Sequence, residues 1–152
     1  MRTLIIAGLT VAAVGAGSLW LGLSRSDAAG LLPYTDPVAV AQGEALYGEF
    51  CASCHGDRLQ GQPNWQTRNE EGKLPAPPHD ETGHSWHHPD KQLIQITKLG
   101  TEKIVGGGYK SDMVGFGDLL SDEEIVAVLA FIKSTWPPEI IEVHDRANAA
   151  AQ

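Results

Sequence analysis

Cys51-Ala52-Ser53-Cys54-His55-Gly56 is the stretch of this chain best equipped for chemistry. Two thiols three positions apart can each add to a different vinyl group of a haem, forming two thioethers. The histidine that follows is then placed to bring an imidazole nitrogen to the iron. The chain has 2 cysteines, so both are used by this one task. Two other chemistries compete for the pair. A redox Cys-x-x-Cys belongs beside a strand–helix–strand pattern, and no buried β-rich run precedes Cys51. A zinc site needs about four ligands, which His79, His84, His87 and His88 could in principle complete. His55 decides for haem attachment, because a histidine abutting the second cysteine is required there and idle in both rivals.

Those residues need elements to hold them. Asp36-Pro37 supplies an N-cap and a proline at the first helical position. Ala39, Gly43, Leu46, Tyr47 and Phe50 then recur at helical spacing, so a helix runs into Cys51. Gly43 with Tyr47 one turn later suggests a close helix crossing, since glycine has no Cβ to hold the backbones apart. Residues 56–88 carry no periodic apolar pattern and many prolines and glycines. An irregular stretch that long suits a compact domain only if it wraps something, and a haem is such a thing. His88-Pro89 opens a further helix with Leu93, Ile96 and Leu99 facing inward and Gly100 as its stop. Thr101 to Val105 adds one more turn, and Gly106-Gly107-Gly108 turns the chain towards Met113. The final helix is the best signalled. Ser121 and Glu124 form a capping box, Leu120 can staple to Ile125, and Ile125, Val128, Leu129 and Ile132 make an apolar stripe. Pro137-Pro138 reads as its stop, and 139–152 as a frayed, alanine-rich tail.

Thr3 to Ser24 holds no charged residue. As a helix at roughly 1.5 Å per residue it would cross the ~30 Å hydrocarbon core of a bilayer. Its apolar run exceeds the roughly 7–15 residues usual in a cleaved signal peptide, so an uncleaved anchor is favoured and a signal peptide is the alternative. Either way the remainder is exported, which suits covalent haem attachment. The organisation reads as 1–26 anchor or signal segment, 27–37 linker, 38–138 haem domain and 139–152 tail. Removing Arg2 and Arg25 from 11 basic and 19 acidic residues leaves 9 against 19, a formal −10 on the exported part. Nucleic acid is an unsuitable partner for such a surface. Encounter with a basic docking patch on another protein suits it, and solubility alone explains the same charge.

Helix, Cys-Ala-Ser-Cys-His-Gly, looping middle, methionine and capped last helix together resemble the class I bacterial c-type cytochromes over about residues 38–136. The resemblance implies an all-α fold, three to five helices around one covalent haem c, here preceded by the hydrophobic N-terminal helix. It implies that the first and last helices cross at a glycine–aromatic contact, for which Gly43, Tyr47 and Phe131 are the candidates. It implies thioethers at Cys51 and Cys54, His55 as proximal ligand and a methionine sulfur as distal ligand. Met113 is the candidate, because Met1 precedes the apolar segment and the chain has 2 methionines. Relatives often have proline after that methionine. Val114 stands here, which would loosen the ligand loop. Pro63 resembles the family proline whose carbonyl accepts a hydrogen bond from the proximal histidine, with a plain turn residue as the alternative, and Trp65 and Trp86 are candidates to cover the haem or bond a propionate, with core packing as the alternative.

The histidines of 79–88 are read as loop residues that cap helices, bond propionates or face water. A second metal site with Asp80 and Glu81, or replacement of Met113 on the iron, are the alternatives. With histidine and methionine both on iron, the resemblance implies a one-electron carrier rather than an enzyme. Its setting would be a periplasmic respiratory or photosynthetic chain, with weak and transient docking. A relay subunit of a membrane dehydrogenase or oxidase complex is the other reading.

Overall fold

The computed structural model describes residues 30–152. The apolar segment 3–24, and with it the anchor and the first residues of the linker, lies outside the described residues. Among the described residues no helix is long and apolar enough to cross a membrane.

Asp36 caps the first helix, α1 (Pro37–Phe50), by accepting the Val38 N–H at 2.9 Å, with Pro37 at the first helical position. A single turn, α2 (Ala52–His55), follows directly. The long loop then runs to a 3₁₀ turn at Ser85–His87, after which come α3 (Asp90–Leu99) and α4 (Thr101–Val105). The last two helices are α5 (Asp122–Ser134) and α6 (Pro138–Ala150). Among the described residues there is no β-strand, only an isolated bridge between Gly100 and Val114.

The core forms where α1 crosses α5. A Cβ on Gly43 would overlap the Ala127 carbonyl and meet Phe131 Cβ, so only glycine lets the two backbones approach this closely. One turn on, Tyr47 packs against Phe131 with ring centroids 5.5 Å apart. The capping box at Ser121 and Glu124 is complete, with Ser121 Oγ accepting Glu124 N–H at 3.2 Å and Glu124 Oε2 accepting Ser121 N–H at 2.8 Å. Ile125, Val128, Leu129 and Ile132 are all buried, as their spacing demands.

Residues 139–152 are not the frayed tail expected from the sequence. They belong mainly to α6, which begins immediately after Pro137 because proline at a first helical position starts helices as readily as it stops them. The helix is held by buried polar contacts. Lys133 of α5, wholly buried, places Nζ 2.6 Å from Asp145 Oδ1 and 4.5 Å from the Tyr34 ring centroid. His144 Nε2 lies 3.2 Å from Asp90 Oδ1, and Asn148 Oδ1 accepts the Asp90 N–H at 2.7 Å. At the head of α6, Trp136 donates from Nε1 to the His79 carbonyl at 2.7 Å, which ties this helix to the long loop.

Candidate haem-binding site

The thiols and the imidazole are gathered by one helical turn. Residues three and four apart share a helix face, and Cys54 N–H and His55 N–H both donate to the Cys51 carbonyl, at 3.1 and 2.9 Å. Cys51 is half-buried, Cys54 is exposed, and both are free thiols. Burial pushes the Cys51 thiol up to about 11, with Cys54 adding to the rise. Tyr47 closes the turn from below: its hydroxyl donates to the Gly56 carbonyl at 3.0 Å. Burial, ahead of the neighbouring Cys51, holds that phenol well above its ordinary range.

His55 is 6% exposed. Burial lowers its pKa, partly offset by a backbone carbonyl, so the ring is neutral around pH 7. Its Nδ1 lies 2.8 Å from the Pro77 carbonyl. A carbonyl can only accept, so the proton sits on Nδ1 and Nε2 keeps its lone pair for a metal. Nε2 makes no hydrogen bond to the protein.

The carbonyl facing His55 therefore belongs to Pro77 and not to Pro63, which is exposed. The reason lies in how the loop doubles back. Gly61 N–H donates to the His55 carbonyl at 2.7 Å, and Gln62 N–H donates to the Ala76 carbonyl at 2.8 Å. Gly61 has φ +66°, and a Cβ there would overlap the backbone at Pro77–Pro78. The outgoing strand of loop thus passes directly over 75–78, and the later proline is brought to the ring. His79 follows, its ring centroid 3.9 Å from that of His55 and its N–H donating to the Leu59 carbonyl at 2.7 Å. Sequence reasoning had no signal for His79 as the neighbour of His55. The Pro75-Ala76-Pro77-Pro78 run was the only hint that this stretch is stiff.

Trp65 lies flat on His84, with centroids 5.3 Å apart and planes 2° from parallel. Trp86 packs against His87, and His84 against His88. Among the described residues no three histidine, cysteine or acidic side chains converge as metal ligands. Asp80 and Glu81 are not gathered with these imidazoles into a group of three or more ligands.

Met113 is half-buried in the segment between α4 and α5. Its carbonyl accepts the Thr101 N–H at 3.3 Å and its own N–H donates to Ser111 Oγ at 3.1 Å. Gly100 and Gly115 let this segment lie against the end of α3, where side chains would collide with backbone.

The residues present fit a haem. They offer two free thiols on one turn and a neutral imidazole with an unclaimed nitrogen. His79 Nδ1, His84 Nδ1 and Trp86 Nε1, all on the wrapping loop, are buried without a protein partner. Buried polar atoms are rarely left so, and haem propionates are acceptors of the kind such atoms lack.

Comparison with known proteins agrees. The family model described as cytochrome c matches residues 40–136. A nitrite reductase of Stutzerimonas stutzeri is 32% identical over 143 residues, covering 89% of this chain and 22% of that protein. A cbb3-type cytochrome c oxidase subunit FixP of Bradyrhizobium diazoefficiens is 25% identical over 99 residues, covering 64% of this chain and 30% of that protein. The chain thus spans less than a third of the length of either relative. No solved structure matches.

Proposed function

Since this chain belongs to the cytochrome c family, carries a covalent haem c and works by haem-based electron transfer, we propose that it is a one-electron carrier of the periplasmic side of a bacterial inner membrane. The haem, when bound, supplies an iron that cycles between Fe(II) and Fe(III). Cys51 and Cys54 would hold it by thioethers, and His55 Nε2 and the Met113 sulfur would ligate its iron. The observation that carries this reading is the His55 ring, fixed by the Pro77 carbonyl with its second nitrogen free. That hydrogen bond sets the tautomer and raises the basicity of the ligating nitrogen. Met113, a neutral sulfur donor, favours the reduced iron. Burial of His55 works in the same direction by disfavouring added positive charge. With both residues ligating the iron, no position would remain for a substrate, which suits transfer rather than catalysis.

Residues 3–24 are the proposed anchor, and the formal −10 of the remainder suits partners with basic docking patches. A second reading is a haem-bearing relay subunit of a membrane oxidase or reductase complex. It is favoured by the two relatives, an oxidase subunit and a nitrite reductase, which this chain matches over only part of their lengths.

Absorption spectra of the membrane and soluble fractions test the proposal. The oxidised protein should show the weak far-red band of iron–methionine ligation, in the membrane fraction. Met113→Ala should abolish that band and lower the potential by on the order of 0.1 V, within the ~0.8 V that axial ligands span. A wild-type protein without the band, binding carbon monoxide when reduced, would falsify the ligand assignment. A partner that co-purifies in fixed ratio would favour the relay subunit.

A further inference from the structure

We propose that Lys73 is a positioning residue for the methionine ligand: from the long loop it straps down the segment that delivers Met113. The inference rests on Met113 as the axial ligand and asks what keeps it in place.

The two flanks of Met113 are secured differently. Beyond it the backbone is paired. Val114 bridges to Gly100, Phe116 N–H donates to the Thr97 carbonyl at 2.9 Å, and Gly117 N–H to the Lys98 carbonyl at 3.0 Å. Ahead of it the chain passes through Gly106, Gly107 and Gly108, with φ of +68°, +61° and +80°. A Cβ at any of the three would meet no atom within 4 Å, so the glycines themselves are not packed against on that side. Ser111 N–H reaches Glu102 Oε1 at 3.0 Å, but that bond leads only to the adjoining α4.

The connection to the rest of the molecule is ionic. Lys73 Nζ lies 2.5 Å from Asp112 Oδ1 and 2.9 Å from Glu71 Oε2. A second contact joins the same two segments, with the Arg68 guanidinium 5.1 Å from the Tyr109 ring centroid. The cations stand on a self-braced turn. Asn69 N–H donates to the Lys73 carbonyl at 2.9 Å, while Asn69 Oδ1 accepts the N–H groups of Glu71 and Lys73 at 3.0 and 2.9 Å. Arg68 Nη1 donates to the Gly72 carbonyl at 2.5 Å. The Lys73 side chain is 24% exposed against 71% for Asp112, so the lysine is the fixed end of the strap and the methionine segment is the part that is held.

Exposed ion pairs contribute little to global stability. A pair that spans a glycine-entered loop acts instead on local opening, which is far less costly than unfolding. Here local opening means Met113 leaving the iron. Binding of imidazole by the oxidised holoprotein reports that event, because imidazole needs the vacated position. Lys73→Gln should raise the rate of imidazole capture about three- to fivefold, while the thermal midpoint stays near that of wild type. Asp112→Asn should match it, the double variant should add nothing further, and Lys73→Arg should return the rate to wild type. Added salt should move wild type towards Lys73→Gln and leave that variant nearly unchanged.

If Lys73→Gln and Asp112→Asn both stay within about twofold of wild type, with the far-red band intact, the strap is overturned. It is equally overturned if the variant unfolds more easily by the same factor as it captures imidazole, since Lys73 is then merely structural. A wild-type protein that lacks the far-red band overturns the ligand reading first and the strap with it. That result is recognisable before any variant is made.

Discussion

His55 and Met113 are held in opposite ways. His55 stands on a helical turn fused to α1, is 6% exposed, and is gripped by the Pro77 carbonyl at 2.8 Å while Tyr47 braces the turn at Gly56. Met113 stands on a loop entered through three consecutive glycines, and its approach side is fixed by surface charge. The histidine side is therefore part of what folds, and the methionine side is part of what can open. That difference teaches where to expect damage. Substitutions around His55 should be felt as lost stability, and substitutions around Met113 as loss of its proposed ligation in a protein that remains folded.

The largest effect should come from Gly43→Val. Its side chain must occupy the space of the Ala127 carbonyl, a backbone atom that cannot turn aside. We expect a loss of more than about 3 kcal/mol, beyond the usual range for overpacking, read by denaturant unfolding of the holoprotein. A loss below about 1 kcal/mol would mean that the α1–α5 crossing tolerates separation, and the histidine side would be less rigid than described.

Gly61→Ala should come next and sharpens the same comparison. A Cβ at φ +66° is strained and would push on Pro77–Pro78. The expected cost is about 1–3 kcal/mol. Unlike Gly43→Val, it should also move the Pro77 carbonyl from His55 and weaken Nε2 as the proposed ligand, changing the potential while the far-red band remains. An unchanged potential would show that the Pro77 contact is not what tunes His55.

Much of the fold was legible because it is local. The capping box, the Ile125–Ile132 stripe and the Asp36-Pro37 start are signals within one or two turns of the residues they govern. The haem-binding turn was legible for the same reason. What could not be read depends on distant parts of the chain meeting. Which proline faces His55 is set by Gly61 folding 75–78 back over the turn, and a carbonyl leaves no mark in a side-chain sequence. Lys73 and Asp112 are 39 positions apart and look like ordinary surface charges until the loops meet. The sixth helix was hidden because Pro137-Pro138 is ambiguous between stop and start, and because its anchors, Lys133 and Asp90, sit on other helices.

Those anchors give the smallest predicted effect, which is a slope with pH. His144 is fully buried. From α3 it faces Asp90, from α5 Lys133, from α6 itself Asp145, and from the loop the backbone of His88. The Trp136 ring stands edge-on with its centroid 5.1 Å away. Burial lowers the pKa of His144 first and Lys133 adds to the fall, outweighing the raising influence of Asp90, Asp145 and the His88 backbone. In the unfolded chain the imidazole titrates near its ordinary 6.5. Between the folded and unfolded values the unfolded state binds more protons, so stability rises with pH through that window. The contribution is fully present above about 6.5 and is lost as pH falls through the lower, folded value. Denaturant unfolding of the holoprotein, repeated from pH 7 down to about 5, should show this loss, and His144→Gln should reduce the slope. Met113 ligation, followed by the far-red band, should stay constant over the window, since α6 is tied to the His79 carbonyl and not to the methionine segment. A band that fades in step with the His144 slope would join the two sides of the site and undo the contrast between them.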